Sequence, residues 1–256
     1  MSSVSAPPPL PVSVVIITKN EEKNIERALR SVRECAEVIL IDDFSTDATV
    51  TIARRYTDKV FQVSWQGYAR QKQTGIDKAK EPWVLVLDAD ECVTEGLLQE
   101  IRSVVADAGC AGYSIPRRNF FLGRWIRGGG WWPDYTLRLF RRGAAAMEQR
   151  EVHERIVAEG RTGHLRNPLE HYPYGTLSAY LQKMDAYSTL AARELHAAGR
   201  RFRSWHLFVK PPFTFFRMLV LQRGLRDGPY GLILALLYSF YTLLKYLKLW
   251  ELQRSK

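Results

Sequence analysis

Cysteine is scarce in this sequence. Cys35, Cys92 and Cys110 are odd in number and widely spaced. They offer no disulfide framework, and no Cys/His spacing resembles a zinc site. A reducing compartment is the natural setting for such a chain. An export signal is missing as well: Met1 to Pro11 is rich in Ser and Pro and lacks a charged start followed by an apolar run. Residues 1–11 read as a disordered leader, and the chain is expected in the cytoplasm unless its C-terminal end holds it at a membrane. Gly231 to Leu244 is apolar on nearly every face, but it stops before Lys245 and Lys248, short of the roughly 20 residues of a membrane span. Repeats and low-complexity tracts beyond the leader are absent. Acids are outnumbered, 27 against 37 Lys and Arg, for a formal net charge of +10. That balance suits nucleic acid, an anionic membrane surface or phosphorylated substrates. Both signs mix in the first hundred residues; from Arg117 onward Arg and Lys dominate.

What is present is a repeating pattern. The 256 residues are 46% hydrophobic, enough for a well-buried domain with an extension. Val12 to Thr18 is a β-branched run suited to a strand buried on both faces. Helical spacing follows from Asn24 to Cys35, with Ile25, Leu29 and Val32 on one face. Strands are expected at Glu37 to Ile41, Val60 to Val63 and Trp83 to Leu87. Helices are expected at Ala48 to Tyr56, Gly67 to Lys80 and Thr94 to Ala106, the last capped by Thr94. This alternation predicts a doubly wound α/β sheet. Beyond Gly109 the pattern changes. Gly112 to Ile115 and Thr136 to Phe140 read as strands, Gly128 to Pro133 as a Gly- and Trp-rich loop, and Leu177 to Ala198 as a helix. The expected organisation is a catalytic domain over 12–200, with a nucleotide-binding half at 12–108 and an acceptor half at 109–200. An apolar, basic helical extension over 201–256 either lies in a membrane interface or packs as a buried helix.

Ligands of doubly wound sheets bind outside the carboxyl ends of the strands. The polar clusters fall there: Thr18 to Glu21, Asp42-Asp43, and Asp88-Ala89-Asp90. Asp88 and Asp90 close a buried strand, where two carboxylates one residue apart can share Mg²⁺ or Mn²⁺, hard cations that bridge phosphates. Of Asp42 and Asp43, one braces the next helix and the other binds a base or ribose. Thr18, Asn20 and Glu21 suit either ligand binding or helix capping. Arg70 and Lys72 either approach the nucleotide or form a solvated face. Arg138, Arg141 and Arg142 are of the type that clamps phosphate, with turn charges as the plainer reading of the last two. Trp125, Trp131 and Trp132 suit a sugar-stacking platform or core packing.

Three strings, VSVVIITKNEEKNIERALRSV, EVILIDDFSTDAT and WVLVLDADE, resemble in order and spacing the nucleotide-binding half of glycosyltransferase family 2. YTLRLFRRG and VHERI resemble the subgroup containing lipopolysaccharide-core β-1,4-glucosyltransferases. The resemblance implies a GT-A fold and inverting transfer from a UDP-sugar, glucose foremost, to a glycolipid acceptor such as lipopolysaccharide inner core. It also implies that Thr18, Asn20 and Glu21 line the base and ribose, that Asp42 contacts the nucleoside, and that Asp88 touches the ribose or the metal-bound diphosphate. The resemblance further implies that Asp90 ligates the metal; His171 is either a further ligand, of the kind some such enzymes use, or a structural histidine. Inversion needs a base on the acceptor hydroxyl. The family's usual acidic pair is missing here, leaving Glu154, beside His153 and Arg155, and Asp134. A glycolipid acceptor and an inner-leaflet membrane surface are the expected partners, with peripheral attachment to the inner membrane. No nucleic-acid motif is present. A polyprenyl-phosphate sugar transferase, a non-catalytic membrane protein and a nucleic-acid binder are the competing readings.

Overall fold

The computed structural model describes residues 8–107, 109–148 and 155–254. The chain forms two compact units. One comprises Met1–Arg117 and Tyr135–His171; the other comprises Arg118–Asp134 and Tyr172–Lys256. The chain leaves the first unit at Arg118 and returns at Tyr135, because the strand that follows pairs beside the parallel core.

The first unit begins β1 (Leu10–Thr18), α1 (Ile25–Ser31), β2 (Cys35–Asp42), α2 (Thr49–Ala53), β3 (Val60–Gln62), α3 (Tyr68–Lys78) and β4 (Trp83–Asp88). β1 pairs in parallel with β2 on one side and β4 on the other, and β3 extends the row beside β2. The order β3-β2-β1-β4 reverses direction at β1, so a topological switch point lies between β1 and β4. Then come β5 (Glu91–Val93), α4 (Glu95–Val105), β6 (Gly112–Phe121), β7 (Arg124–Trp125), β8 (Asp134–Arg141), β9 (Ala145–Glu148), β10 (Arg155–Ala158), β11 (Thr162–His164) and β12 (Leu169–Tyr174). β8 joins β4 antiparallel and β12 joins β5 antiparallel, completing the order β3-β2-β1-β4-β8-β6-β12-β5. β6, β8 and β12 carry residues of both units. The pair β9–β10 stands apart as a small antiparallel ribbon.

Period-2 alternation explains why these runs are apolar throughout. Val12, Val14 and Ile16 pack in one core with Ile25, Leu29 and Leu97. Val15 packs in the other with Ile76 and Val86. Gly75 of α3 lies so close to β1 that an added Cβ would stand 2.3 Å from Val15 Cγ1. Thr94 caps α4, its hydroxyl accepting from Leu97 N at 3.2 Å. Two sequence expectations shift here. Leu10 pairs with Cys35 and is 1% exposed, so it belongs to the core and not to a leader. α1 ends at Ser31 instead of Cys35, because Cys35 is already recruited to β2.

The second unit is mainly helical: α5 (Leu177–Ala197), α6 (Trp205–Phe216), a π-helical turn at Arg217–Leu221, a 3₁₀ turn at Gly224–Asp227 and α7 (Pro229–Arg254). Its core gathers Phe121, Trp131, Tyr180, Met184 and Leu234. α7 corrects the sequence expectation: its 26 residues run through Lys245 and Lys248, and by length and composition it could cross a membrane. Only 22% of its most apolar 18-residue window is buried.

Candidate active site

The carboxyl ends of β1 and β2 are laced together by short-range bonds. Thr18 Oγ1 donates to Asp42 Oδ1 at 3.0 Å. Asn20, at φ 54°, adopts the left-handed backbone that asparagine tolerates. Its N–H donates to Ser45 Oγ, and its Oδ1 accepts from Thr46 N, both at 2.8 Å. Glu21 N donates to Thr49 Oγ1 at 2.7 Å. Ser45, Thr46 and Asp47, which follow β2, thus brace the Asn20 to Glu22 turn that follows β1. Asp42 departs from expectation. It is 0% exposed, and its two oxygens accept from Thr18, Ser45 N and Ser45 Oγ. The carboxylate expected on the nucleoside is a brace in this arrangement. Its neighbour Asp43 keeps some exposure, pairs with Lys19 and accepts from Trp65 N.

The end of β4 holds a denser set of charges. Lys72 Nζ lies 3.0 Å from Asp88 Oδ1, and Arg138 Nη2 lies 2.6 Å from Asp88 Oδ2. The same Nη2 is 2.7 Å from Glu91 Oε1, to which Arg117 Nη1 adds a contact at 3.5 Å. Glu91 Oε2 accepts from Asp88 N at 3.0 Å, closing the loop between the two carboxylates. Burial opposes ionisation of Asp88, but Arg138 and then Lys72 outweigh it and hold its carboxyl well below the usual range. Burial likewise disfavours the Arg138 cation, and Asp88 with Glu91 more than restores it. Arg138 Nε is buried with no hydrogen-bond partner among the described residues.

These groups border a cavity of about 610 Å³. Lys72, Asp88, Arg117, Arg138 and Arg155 contribute its charged wall, four cations against one carboxylate. Such a cavity attracts an anion. Sequence reasoning missed Glu91 and Arg117, and had Arg155 only as a neighbour of Glu154. Glu91 directly follows the acidic triplet, and a third acid beside two others needs cationic partners; that signal was present. Arg70 and Lys72 part company: Lys72 turns inward to Asp88 while Arg70 is exposed, as two residues about 200° apart on a helix must be.

Asp90 pairs with His171, Oδ1 to Nε2 at 3.6 Å, because β12 lies against β5 with His171 opposite Glu91. Among the described residues no group of three or more His, Cys, Asp or Glu side chains is gathered for a metal. Asp88, read as a metal ligand, instead faces two cations. The remaining pair still fits Mg²⁺ or Mn²⁺, because such ions are held by one or two carboxylates with ligand phosphates completing the shell. Asp90 and His171 are the residues that would hold it.

Two carboxylates were read from the sequence as candidate bases. Glu154 lies outside the described residues. Asp134 belongs to the second unit, where it accepts from Asn119 Nδ2 at 3.2 Å. Of the three tryptophans, Trp131 is core. Trp125 meets Trp132 edge to face at 5.5 Å and carries the guanidinium groups of Arg118 and Arg127 over its ring.

The family model for glycosyl transferase family 2 matches residues 13–189. The lipopolysaccharide core biosynthesis glycosyltransferase LpsC of Rhizobium meliloti is 32% identical, over 95% of this chain and 93% of its own. An uncharacterized glycosyltransferase of Rickettsia typhi is 29% identical, over 94% and 87%. Among solved structures, the mannosyltransferase PcManGT of Pyrobaculum calidifontis, in complex with GDP-Man and Mn²⁺, superposes with a TM-score of 0.52 at 16% identity, over 96% of this chain and 89% of that one. TarS 1–349 of S. aureus, in complex with UDP-GlcNAc, gives 0.50 at 14% identity, over 96% and 92%. The fold is the GT-A-like mixed sheet with flanking helices that the three strings implied, and the chain is a member of glycosyltransferase family 2.

Proposed function

We propose that this enzyme transfers a sugar from a UDP-sugar, glucose foremost, to a glycolipid acceptor of the lipopolysaccharide inner-core type, with inversion. The observation that carries the donor half is the cationic wall of Lys72, Arg117, Arg138 and Arg155 around Asp88, at the switch point of the sheet. Similarity to LpsC over nearly the whole chain supports the acceptor class. The enzyme is expected to work from the cytoplasm at the inner-leaflet surface.

The chain's own groups suggest a division of labour. The braced turn from Thr18 to Glu21 offers edges for the base and ribose. Arg138, fixed by two carboxylates, keeps Nε for a diphosphate oxygen, and Lys72 stands beside it. Preorganised cations stabilise the charge that develops on a leaving diphosphate without reorganising. A divalent cation held by Asp90 and His171 would neutralise that diphosphate further. Glu154 takes the acceptor proton, with Asp134 as the competing carboxylate.

The test is a panel of UDP-, GDP-, ADP- and TDP-sugars with and without Mn²⁺, read by thermal shift. A shift confined to UDP compounds and lost on chelation is expected, and Asp90→Ala should abolish it. Retention of metal-dependent donor binding in Asp90→Ala would refute the metal assignment. For the base, Glu154→Gln should lower kcat by about 10²–10⁴-fold with donor binding intact, whereas Asp134→Asn should not. The reverse ranking would reassign the role.

A further inference from the structure

α7 poses a choice that its sequence leaves open. At about 1.5 Å per residue it is about 39 Å long, enough to span a bilayer. Its bonding within the second unit argues otherwise. Lys248 Nζ lies within hydrogen-bonding distance of Asp185 O, Asp185 Oδ1, Ser188 Oγ and Thr189 Oγ1 of α5, at 2.6 to 2.8 Å, among which its three N–H groups are shared. Ser239 Oγ donates to Pro211 O of α6, and Thr242 bonds Thr214. Lifting α7 into hydrocarbon would break these bonds or carry the exposed Lys183, Asp185, Arg193 and Glu194 of α5 with it. Either takes polar or charged groups into hydrocarbon, a cost that a surface placement avoids.

The helices nevertheless leave an apolar surface open to solvent. On α6, Phe208 is 78% exposed, and Val209, Phe213 and Phe216 are each above half. These four fall within an arc of about 140° at 100° per residue. Leu221 and Leu225, at 62% and 64%, continue the strip through the π and 3₁₀ turns. On α7, Leu232, Leu236 and Phe240 are exposed on one face. Exposed apolar strips of this kind mark an interaction surface. The charges identify the occupant. From Gly199 to Trp250 there are nine Lys and Arg and a single acid, Asp227, which is 2% exposed and holds the N–H groups of Arg127 and Gly128. Arg217, Arg223 and Arg226 are exposed between the apolar residues. A second copy of this chain would set like charges against them. Aromatic and aliphatic residues interleaved with arginine suit an anionic phospholipid surface.

We infer that the α6–α7 edge of the second unit docks on an anionic bilayer as a monotopic surface, with Phe208, Phe213, Phe216, Leu221 and Leu225 entering the interface and α7 not crossing it. The inference rests on the placement at a lipid surface proposed above, but donor binding reports on that reading separately. The full chain is floated with phosphatidylglycerol vesicles and with phosphatidylcholine vesicles, at low and high salt. Binding to the anionic vesicles that weakens with salt is expected. Leu221→Ser/Leu225→Ser should reduce partitioning at least tenfold with melting temperature and the UDP–Mn²⁺ shift unchanged. Arg217→Glu and Arg226→Glu should each lose about fivefold on anionic vesicles alone. Trypsin added outside should still trim the bound chain at Arg254. Unchanged partitioning of both sets of variants overturns the inference. So does self-association through this edge without vesicles, or protection of Arg254, which would mean that α7 has crossed.

Discussion

Truncating Arg138 to methionine would leave the buried Glu91 and the partly buried Asp88 facing each other with Lys72 and Arg117 as their remaining cations. Removing one member of a buried ionic set costs about 3–5 kcal/mol, so Arg138→Met should melt well below the parent near pH 8. The sign with pH follows from Asp88. Its folded value is depressed, so its contribution is complete above the ordinary carboxylate range and is lost only as pH falls through the lower folded value. The contribution of Asp88 should therefore persist down to about pH 4. Without Arg138 the Asp88 carboxyl gains by taking up a proton, so the deficit should shrink between pH 8 and pH 5. A deficit that does not change with pH in thermal melts would deny Arg138 this electrostatic role. Individual residues were also where sequence reading was weakest. Asp42 and Asp88 both end strands and look alike in sequence. One is closed off by Ser45 and Thr18, the other opens to a cavity, and the difference depends on partners 3 to 50 residues away.

Elements were more legible. β1, β2 and β4 of the parallel core are largely runs of β-branched and aliphatic residues, since both of their faces are covered, and Thr94 announced α4 by its own capping bond. The antiparallel half was harder to read. β6 was expected at Gly112 to Ile115 and extends to Phe121, because Arg117, Arg118 and Asn119 are polar residues held in the strand by ion pairs, a ring face and side-chain bonds instead of apolar burial. The connections between α6 and α7 depend on close backbone approach. A Cβ on Gly231 would stand 1.9 Å from Gly224 O, so Gly231→Ala must push α7 from the 3₁₀ turn. Overpacking of this kind costs about 1–3 kcal/mol, and each kcal/mol lowers the melting point of a chain this size by about 2–4 °C. A variant that melts with the parent would show that the two backbones have room to part.

For the whole molecule, ligand binding should be read as added stability. Donor at about a hundredfold over its Kd stabilises the folded state by about 2.7 kcal/mol. Calorimetry with UDP and Mn²⁺ should therefore raise the unfolding transition, and Lys72→Ala should shrink that rise. A rise left whole in Lys72→Ala would mean that the nucleotide binds elsewhere. The ring of Lys72, Asp88, Arg138 and Glu91 has one more consequence. Arg138 is driven up and Asp88 down, so neither changes ionisation anywhere near neutrality. A nucleotide diphosphate arriving at this wall meets charges that are already set, and its capture exchanges no protons with either group. Any proton exchanged on binding, read as a difference in heat between two buffers of different ionisation enthalpy, must then come from outside this pair, and Lys72→Ala should leave that difference unchanged.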